Sequence, residues 1–572
     1  MMSTEAGQGK EGKFVFVGGP LMNKGGPLRS RAIRQGLRET KQRRQTKAAV
    51  ESEELLSKGI NPECTCNREM TGLRHSELPF GSETIQRFRP IKPKAPESRI
   101  RLRQSYLCSF CGRYTAMCAQ RPPGVGSVFD IVSGNRDPLL PNDPSTARLN
   151  MHELLHLAGT EIWPNFRPLG YTTDCYQSWV VPYNDKLNFY AVLWSASYHL
   201  DVLRLTYGSP GYEAGSQQQF FLKGLALKTL REAIETYTGV TPIDNIIMCI
   251  LYLAVNDTAM TRVYRDPSPF RPRFVGLHAL DFYGSRDYHS LHWSVIQNLL
   301  GDFGGIHALR TFAVAWLLSI SDIMNAVHTL RKPIYPCLGL DGTVLSLDTP
   351  LLLFAPYGVK VKVGSQKPGI GFHNLLSLEP PVQRGLVTAL ANVGELAYVL
   401  QCLSEQSCSP KALDLLGDCR NLVHHRLFSL ANEKDPTEKI LQYQGESAAA
   451  TEQSKELYLT SRLAAILFAI HVTFPIPRSS IVSAPLLDYL CPKLESLVDQ
   501  GISNKIMLWC ASVALIALDG KPAYKQVMKL FQKLCRDLGV HRLKVLLRLL
   551  RSFAWMDSAV EHHYHGQWRN IF

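Results

Sequence analysis

Residues 191–205 read AVLWSASYHLDVLRL, a stretch whose apolar side chains return at every third or fourth position. Val192, Ala196 and Leu200 therefore fall on one face when the stretch forms an α-helix. The same spacing recurs from Leu149 to the C-terminus, and it predicts an all-α fold with one multi-helix domain over residues 149–572. Helices are predicted at residues 151–158, 222–237, 243–255, 291–300, 306–330, 382–403, 411–430, 455–472, 506–518, 524–538 and 541–555.

The longest apolar stretch, residues 506–518, is interrupted only by Ser512. A membrane span needs about 18 apolar residues, so this shorter stretch predicts a buried helix and no membrane association. Residues 344–363 are the one strand-like stretch, but Thr349-Pro350 and Gly358 interrupt it, and an extended loop is equally compatible. No signal peptide is apparent, and the 14 cysteines are expected to be reduced thiols in a soluble intracellular protein.

Positive charge is concentrated in the first fifth of the chain. Residues 1–121 contain 23 Lys and Arg against 11 Asp and Glu, whereas residues 122–572 contain 40 against 38. Residues 1–140 are also rich in Gly, Pro and Ser, which predicts a largely disordered basic arm, with a short basic helix at 30–47. Nucleic acid is the favoured partner, an anionic membrane surface is the second candidate, and a solvated tail is the third interpretation. The residues predicted to contact phosphates are Arg34, Arg38, Lys41, Arg43 and Arg44.

Three cysteines in the arm, Cys108, Cys111 and Cys118, have the spacing of the first half of a fungal binuclear zinc cluster. Such a cluster needs six cysteines, and the next one along the chain is Cys175. Alternatively, Cys64 and Cys66 could complete a mononuclear four-cysteine site with Cys108 and Cys111. Unliganded thiols remain the preferred interpretation, so no cofactor is predicted.

One enzyme signature occurs in the helical region. His152, Glu153 and His156 form an H-E-x-x-H string, which on a helix places two imidazoles on one face beside a potential general base. A third ligand is not evident, because the nearest carboxylate is Glu161 and the Trp163-Pro164-Asn165 run should end the helix. We therefore expect an amphipathic helix with exposed His and Glu side chains rather than a zinc hydrolase, and no enzyme activity.

Several stretches of the helical region occur in a characteristic order. Residues 188–204 combine an aliphatic stripe with a His-Leu-Asp ending, and residues 289–336 contain Gly304-Gly305 followed by Trp316, Asp322 and a Pro-rich stop. Residues 462–477 read RLAAILFAIHVTFPIP, and residues 549–568 contain Trp555-Met-Asp and Gly566-Gln-Trp. Residues 14–17, FVFV, precede Ser30-Arg31 and the basic stretch.

In this order, the stretches resemble the regulatory region of fungal-specific transcription factors, in the subset without a complete six-cysteine binuclear zinc cluster. The resemblance implies a nuclear regulator, with a possible cytoplasmic pool, whose all-helical domain contacts the transcription machinery, other regulators or an effector. The basic arm would then supply nuclear targeting and nonspecific nucleic-acid contact. The alternative is a helical scaffold or co-regulator that does not bind DNA and uses residues 41–47 only as an import signal.

Under this interpretation most of the distinctive side chains of the helical region are structural. Four tryptophans are expected in the core, and Gly304-Gly305 is expected to end a helix or to allow close helix packing. Asp322 and Asn325 are expected to be buried polar groups that neighbouring groups satisfy. The four tryptophans are Trp194, Trp316, Trp509 and Trp555.

Overall fold

A computed structural model describes residues 151–180, 186–206, 217–238, 243–256, 265–564 and 568. The predicted arm, its helix at 30–47, its five phosphate-contacting residues and the cysteines at 64, 66, 108, 111 and 118 lie outside the described residues.

The prediction of an all-α fold is confirmed. Within the described ranges, β-type pairing is limited to two isolated bridges, Leu338 with Val344 and Val382 with Leu441. The first helices are α1 (Met151–Leu157), α2 (Trp163–Phe166), α3 (Tyr171–Cys175), α4 (Lys186–Thr206), α5 (Gln217–Glu235), α6 (Asp244–Asn256), α7 (Leu280–Tyr283), α8 (Ser290–Asp302) and α9 (Val314–Thr329). The remaining helices are α10 (Pro350–Phe354), α11 (Arg384–Ser404), α12 (Pro410–Phe428), α13 (Ala448–Phe468), α14 (Ser479–Asp499), α15 (Lys505–Ala517), α16 (Tyr524–Asp537), α17 (Leu543–Leu550) and α18 (Asp557–Tyr564).

Two differences from the predicted helices involve proline. Helix α14 was not predicted, since Pro485 and Pro492 lie inside it and proline normally breaks a helix. The strand-like stretch at 344–363 contains helix α10, which Pro350 begins at a position where its missing N–H costs nothing.

Two groups of helices form the core. In the N-terminal group, α4 packs against α5 and α6, and α8 packs against α6. In the C-terminal group, α15 is central and packs against α13, α14 and α16. Every residue of α15 from Ile506 to Ala517 is buried, as its composition predicted. The four predicted core tryptophans are all buried, and Trp509 donates its indole N–H to the carbonyl oxygen of Ala554 at 2.9 Å.

Two helical segments are long and apolar enough to cross a membrane by length and composition, Arg384–Ser404 and Ala448–Thr473. The protein itself buries 72% and 94% of their most apolar windows. Packing within the core therefore accounts for their composition.

A glycine in α12 lets a strained loop pack closely against that helix. An added Cβ on Gly417 would lie 2.1 Å from Nε2 of His278, so only glycine fits there without displacing the ring. The loop around His278 contains positive φ angles at Phe274, His278 and Ala279. Arg420 of α12 holds the loop by donating to the carbonyl oxygens of Phe274 and Leu277. The imidazole of His278 in turn lies edge-on to Trp316, with ring centroids 5.4 Å apart.

Candidate ligand site

The first three helices are extended by two π-helical turns. Ala158–Ile162 joins α1 to α2, and Tyr176–Val180 continues α3. The chain stays helical from Ala158 through Trp163 and Pro164. The prediction that Trp163-Pro164-Asn165 ends the helix was therefore wrong. Pro164 lies in the first turn of α2, where its missing N–H is tolerated, and π turns occur frequently at functional sites.

A partly open cavity of about 50 Å³ lies where these turns meet α4, α6 and α9. The π turns contribute Ala158, Ile162 and Trp179 to its wall. Six aromatic residues form much of the lining: Trp163, Phe166, Tyr171, Trp179, Tyr252 and Tyr283.

The aromatic side chains of the lining pack against one another. Trp179 makes edge-to-face contacts with Trp163 and Tyr171, with ring centroids 6.0 and 6.1 Å apart. Phe166 lies against Tyr283 with centroids 5.1 Å apart, and the Trp179 indole donates to the carbonyl oxygen of Phe312 at 3.2 Å. Such contacts hold each ring in one orientation. The cavity wall is therefore shaped before any ligand arrives.

All the lining side chains are uncharged at neutral pH. Burial raises the pKa of Tyr283 to about 12, although the hydrogen bond with Ser195 lowers that pKa. Burial also raises the pKa values of Tyr171 and Tyr252 well above their ordinary value. An ion would thus lose its hydration without gaining a counter-charge, so the cavity suits a neutral group.

The hydroxyl of Tyr171 is the polar group least well satisfied in the wall. Tyr171 is fully buried, and its oxygen has no hydrogen-bond partner of ordinary geometry. It interacts with the thiol of Cys175 one turn further along, which is a weak partner. Buried polar groups are normally hydrogen-bonded, so a ligand with a donor or acceptor atom would complete this site.

The volume limits what the cavity can hold. It is about one third of the roughly 150 Å³ at which an engineered apolar cavity binds benzene. The site as it stands has room for water or for a small apolar group at the end of a larger ligand. Its lining contains neither a charged residue nor a cysteine.

The H-E-x-x-H residues lie outside this lining. His152 is exposed, but Glu153 is buried, so the prediction that Glu153 is exposed was wrong. Glu153 faces inward from α1 because it pairs with Arg204 of α4 at 3.5 Å, and Arg204 also pairs with Asp201. The Glu153 carboxylate is thus engaged in an ion pair within the protein. Across the described residues, no group of three or more His, Cys, Asp or Glu side chains could hold a metal ion.

Other residues of the ordered motifs hold the core together. The Oδ2 atom of Asp322 accepts hydrogen bonds from the backbone N–H groups of Ile334 and Tyr335, at 2.6 and 2.8 Å, which confirms its predicted role. Asn325 is only half-buried, since it lies on the outer side of α9. Gly305 follows the end of α8 and donates to the carbonyl oxygen of Leu300 at 2.7 Å, which confirms a helix end at Gly304-Gly305.

Sequence reasoning did not identify the cavity. The signal available was aromatic enrichment between residues 163 and 179, which include Trp163, Phe166, Tyr171, Tyr176 and Trp179. Tyr252 and Tyr283 join them only through tertiary packing. No family model, no curated protein and no solved structure matches this chain, so the resemblance to fungal transcription-factor regulatory regions stands on the quoted motifs alone.

Proposed function

We propose that this protein is a nuclear transcription regulator that contacts nucleic acid nonspecifically through its basic arm. The observation that carries the proposal is the division of charge, 23 basic against 11 acidic residues in 1–121 and 40 against 38 in the remainder. Phosphate contact needs Lys and Arg and little sequence information, so such an arm is suited to nucleic-acid binding. The motifs that resemble fungal regulatory regions support the nucleus as its location.

The helical domain would supply regulation in this proposal. It contacts other regulators or the transcription machinery, and its aromatic cavity accepts a neutral effector group. Two features support an effector: the rings that line the cavity are fixed by mutual packing, and the Tyr171 hydroxyl is poorly satisfied. No enzyme activity is proposed.

The salt dependence of DNA binding tests the role of the arm. Each lost phosphate contact reduces the slope of log K against log salt by about 0.9. Replacing five residues with glutamine in the full-length chain should therefore reduce the slope by up to about 4.5. The variant replaces Arg34, Arg38, Lys41, Arg43 and Arg44.

A matched control removes the same charge from another part of the arm and should change the slope less. It replaces Arg87, Arg89, Lys92, Lys94 and Arg99 with glutamine. Binding by the unmodified protein that does not respond to salt would refute the proposal.

A second candidate function is a scaffold or co-regulator that never contacts DNA. The incomplete cysteine pattern at Cys108, Cys111 and Cys118 favours it, because the six-cysteine DNA-binding cluster is absent from the sequence. In that case, deleting residues 41–47 abolishes nuclear location and leaves partner binding unchanged. Salt-dependent DNA binding by the purified full-length protein distinguishes the two candidates, since the scaffold does not bind DNA.

A further inference from the structure

The near-neutral charge of residues 122–572 conceals a basic segment at their C-terminal end. Residues 519–551 contain nine Lys and Arg against two Asp. The rest of this region contains 31 basic and 36 acidic residues, so it is slightly acidic. Positive charge is therefore concentrated a second time in the chain, on helices α16 and α17 and the turn between them.

The basic residues of each helix lie on one face. In α16 they are spaced by four, four and three residues, and in α17 and its C-cap by four and three, which at 100° per residue places each set within a narrow stripe. The opposite faces are buried in the core, through Val527, Phe531 and Leu534 of α16 and Leu546 and Leu550 of α17. We call these two stripes, together with Arg542 at the N-cap of α17, the basic face: Lys525, Lys529, Lys533, Arg536, Arg542, Lys544, Arg548 and Arg551.

Most of these charges are not neutralised by the protein. Arg551 pairs with Asp557 at 2.8 Å, and Lys533 donates to the carbonyl oxygen of Val498 at 3.2 Å. The other six are exposed, and none forms an ion pair with any residue that the structure describes. Two carboxylates near these helices accept hydrogen bonds from neutral side chains: Asp537 of α16 from Ser503, and Glu495 of α14 from Gln526.

Like charges four residues apart on a helix destabilise it. The basic face therefore works against the stability of α16 and α17, and an external polyanion would remove that repulsion. From Lys525 to Arg536 the stripe is about 16 Å long, which corresponds to roughly five base pairs of a duplex.

We propose that the basic face of α16 and α17 is a phosphate-contacting surface for double-stranded DNA. The proposal rests on the proposed role in nucleic-acid binding, but it places a contact on the helical domain in addition to the arm. An anionic membrane fits the face less well, because a membrane-surface helix inserts its apolar side and here that side is buried in the core. A protein partner fits less well too, since the exposed stripe carries no aromatic anchor.

The test measures binding of the full-length protein to a random-sequence duplex between about 50 and 200 mM salt. The face variant should lose affinity, and its slope of log K against log salt should fall by about 0.9 for each contact removed, up to about 4.5. Glutamine retains helix propensity and removes the like-charge repulsion, so the variant should have a thermal midpoint equal to or above that of the unmodified protein. The face variant replaces Lys525, Lys529, Arg542, Lys544 and Arg548 with glutamine.

A matched control removes the same charge from exposed positions elsewhere on the helical domain and should bind almost as the unmodified protein does. It replaces Arg331, Lys360, Lys362, Arg384 and Lys411 with glutamine. Equal affinity and slope for the face variant and this control would overturn the proposal. So would loss of binding to phosphatidylserine vesicles with DNA binding unchanged, since the face would then serve a membrane.

The arm variant separates this inference from the proposed function. Salt-dependent binding that responds to the arm variant but not to the face variant overturns the inference and leaves the proposed function standing. Absence of DNA binding by the unmodified protein overturns both.

Discussion

Replacing Gly417 with alanine probes the contact between α12 and the strained loop. The new Cβ would lie 2.1 Å from Nε2 and 2.3 Å from Cε1 of His278. Ordinary contact begins near 3.4 Å, so the imidazole must retreat by about 1.3 Å in a densely packed interior. That retreat is opposed by Trp316 on one side and by Asn421, whose side chain lies 3.0 Å from Nδ1 of His278.

The expected loss of stability combines three effects. Overpacking of a core costs about 1–3 kcal/mol. Loss of the hydrogen bond between His278 and Asn421 lowers the free energy of unfolding by about 1 kcal/mol. The better helix propensity of alanine raises it by about 1 kcal/mol. We therefore expect Gly417→Ala to lower the free energy of unfolding by about 1–3 kcal/mol.

Gly224→Ala is the matched control, because Gly224 lies inside α5 and a Cβ there would meet nothing within 4 Å. It gains helix propensity without a clash and should be more stable by up to about 1 kcal/mol. Urea denaturation of both variants, followed by circular dichroism, should thus separate them by about 1–4 kcal/mol. Equal stability of the two variants would refute the described packing of His278 against α12.

Three further predictions concern buried polar groups. Burial raises the pKa of Asp322 to about 6 from 3.8, despite two backbone hydrogen bonds that lower it, so the folded state keeps a proton that the unfolded state has lost. The protonated carboxyl therefore contributes its full stabilisation below pH 4, and this contribution is lost as the pH rises through about 6. Between pH 4 and pH 7 the free energy of unfolding should thus fall by about 3 kcal/mol because of Asp322. In Asp322→Asn this part of the fall should be absent from denaturation measured at the two pH values. Tyr171→Phe deletes a poorly satisfied hydroxyl and should leave the protein as stable or about 1 kcal/mol more stable. Tyr283→Phe, which removes a hydrogen bond with Ser195, should destabilise it by about 1 kcal/mol in the same denaturation assay.

The sequence predicted the features that depend on local pattern. Helix α15 follows from thirteen nearly uninterrupted apolar residues, and the burial of Trp509 follows from its place within them. Helix α14 could not be predicted in the same way, since Pro485 and Pro492 contradict the local preference and tertiary packing overrides it. The cavity could not be predicted either, because Trp163 and Tyr283 are brought together by the fold.

The basic face can be read from the sequence, but the net charge summed over residues 122–572 conceals it. Net charge over residues 122–572 is +2, whereas the spacing of lysines within α16 reveals the face directly. Three like-charged pairs in α16, at spacings of three or four residues, cost about 0.6–1.5 kcal/mol in total. Burial of Val527, Phe531 and Leu534 contributes about 1.5–3 kcal/mol for each side chain, which exceeds that cost. Burial in the core therefore keeps α16 folded despite the repulsion between the charges on its outer face. Those charges are not needed for stability, and this is compatible with a role in binding.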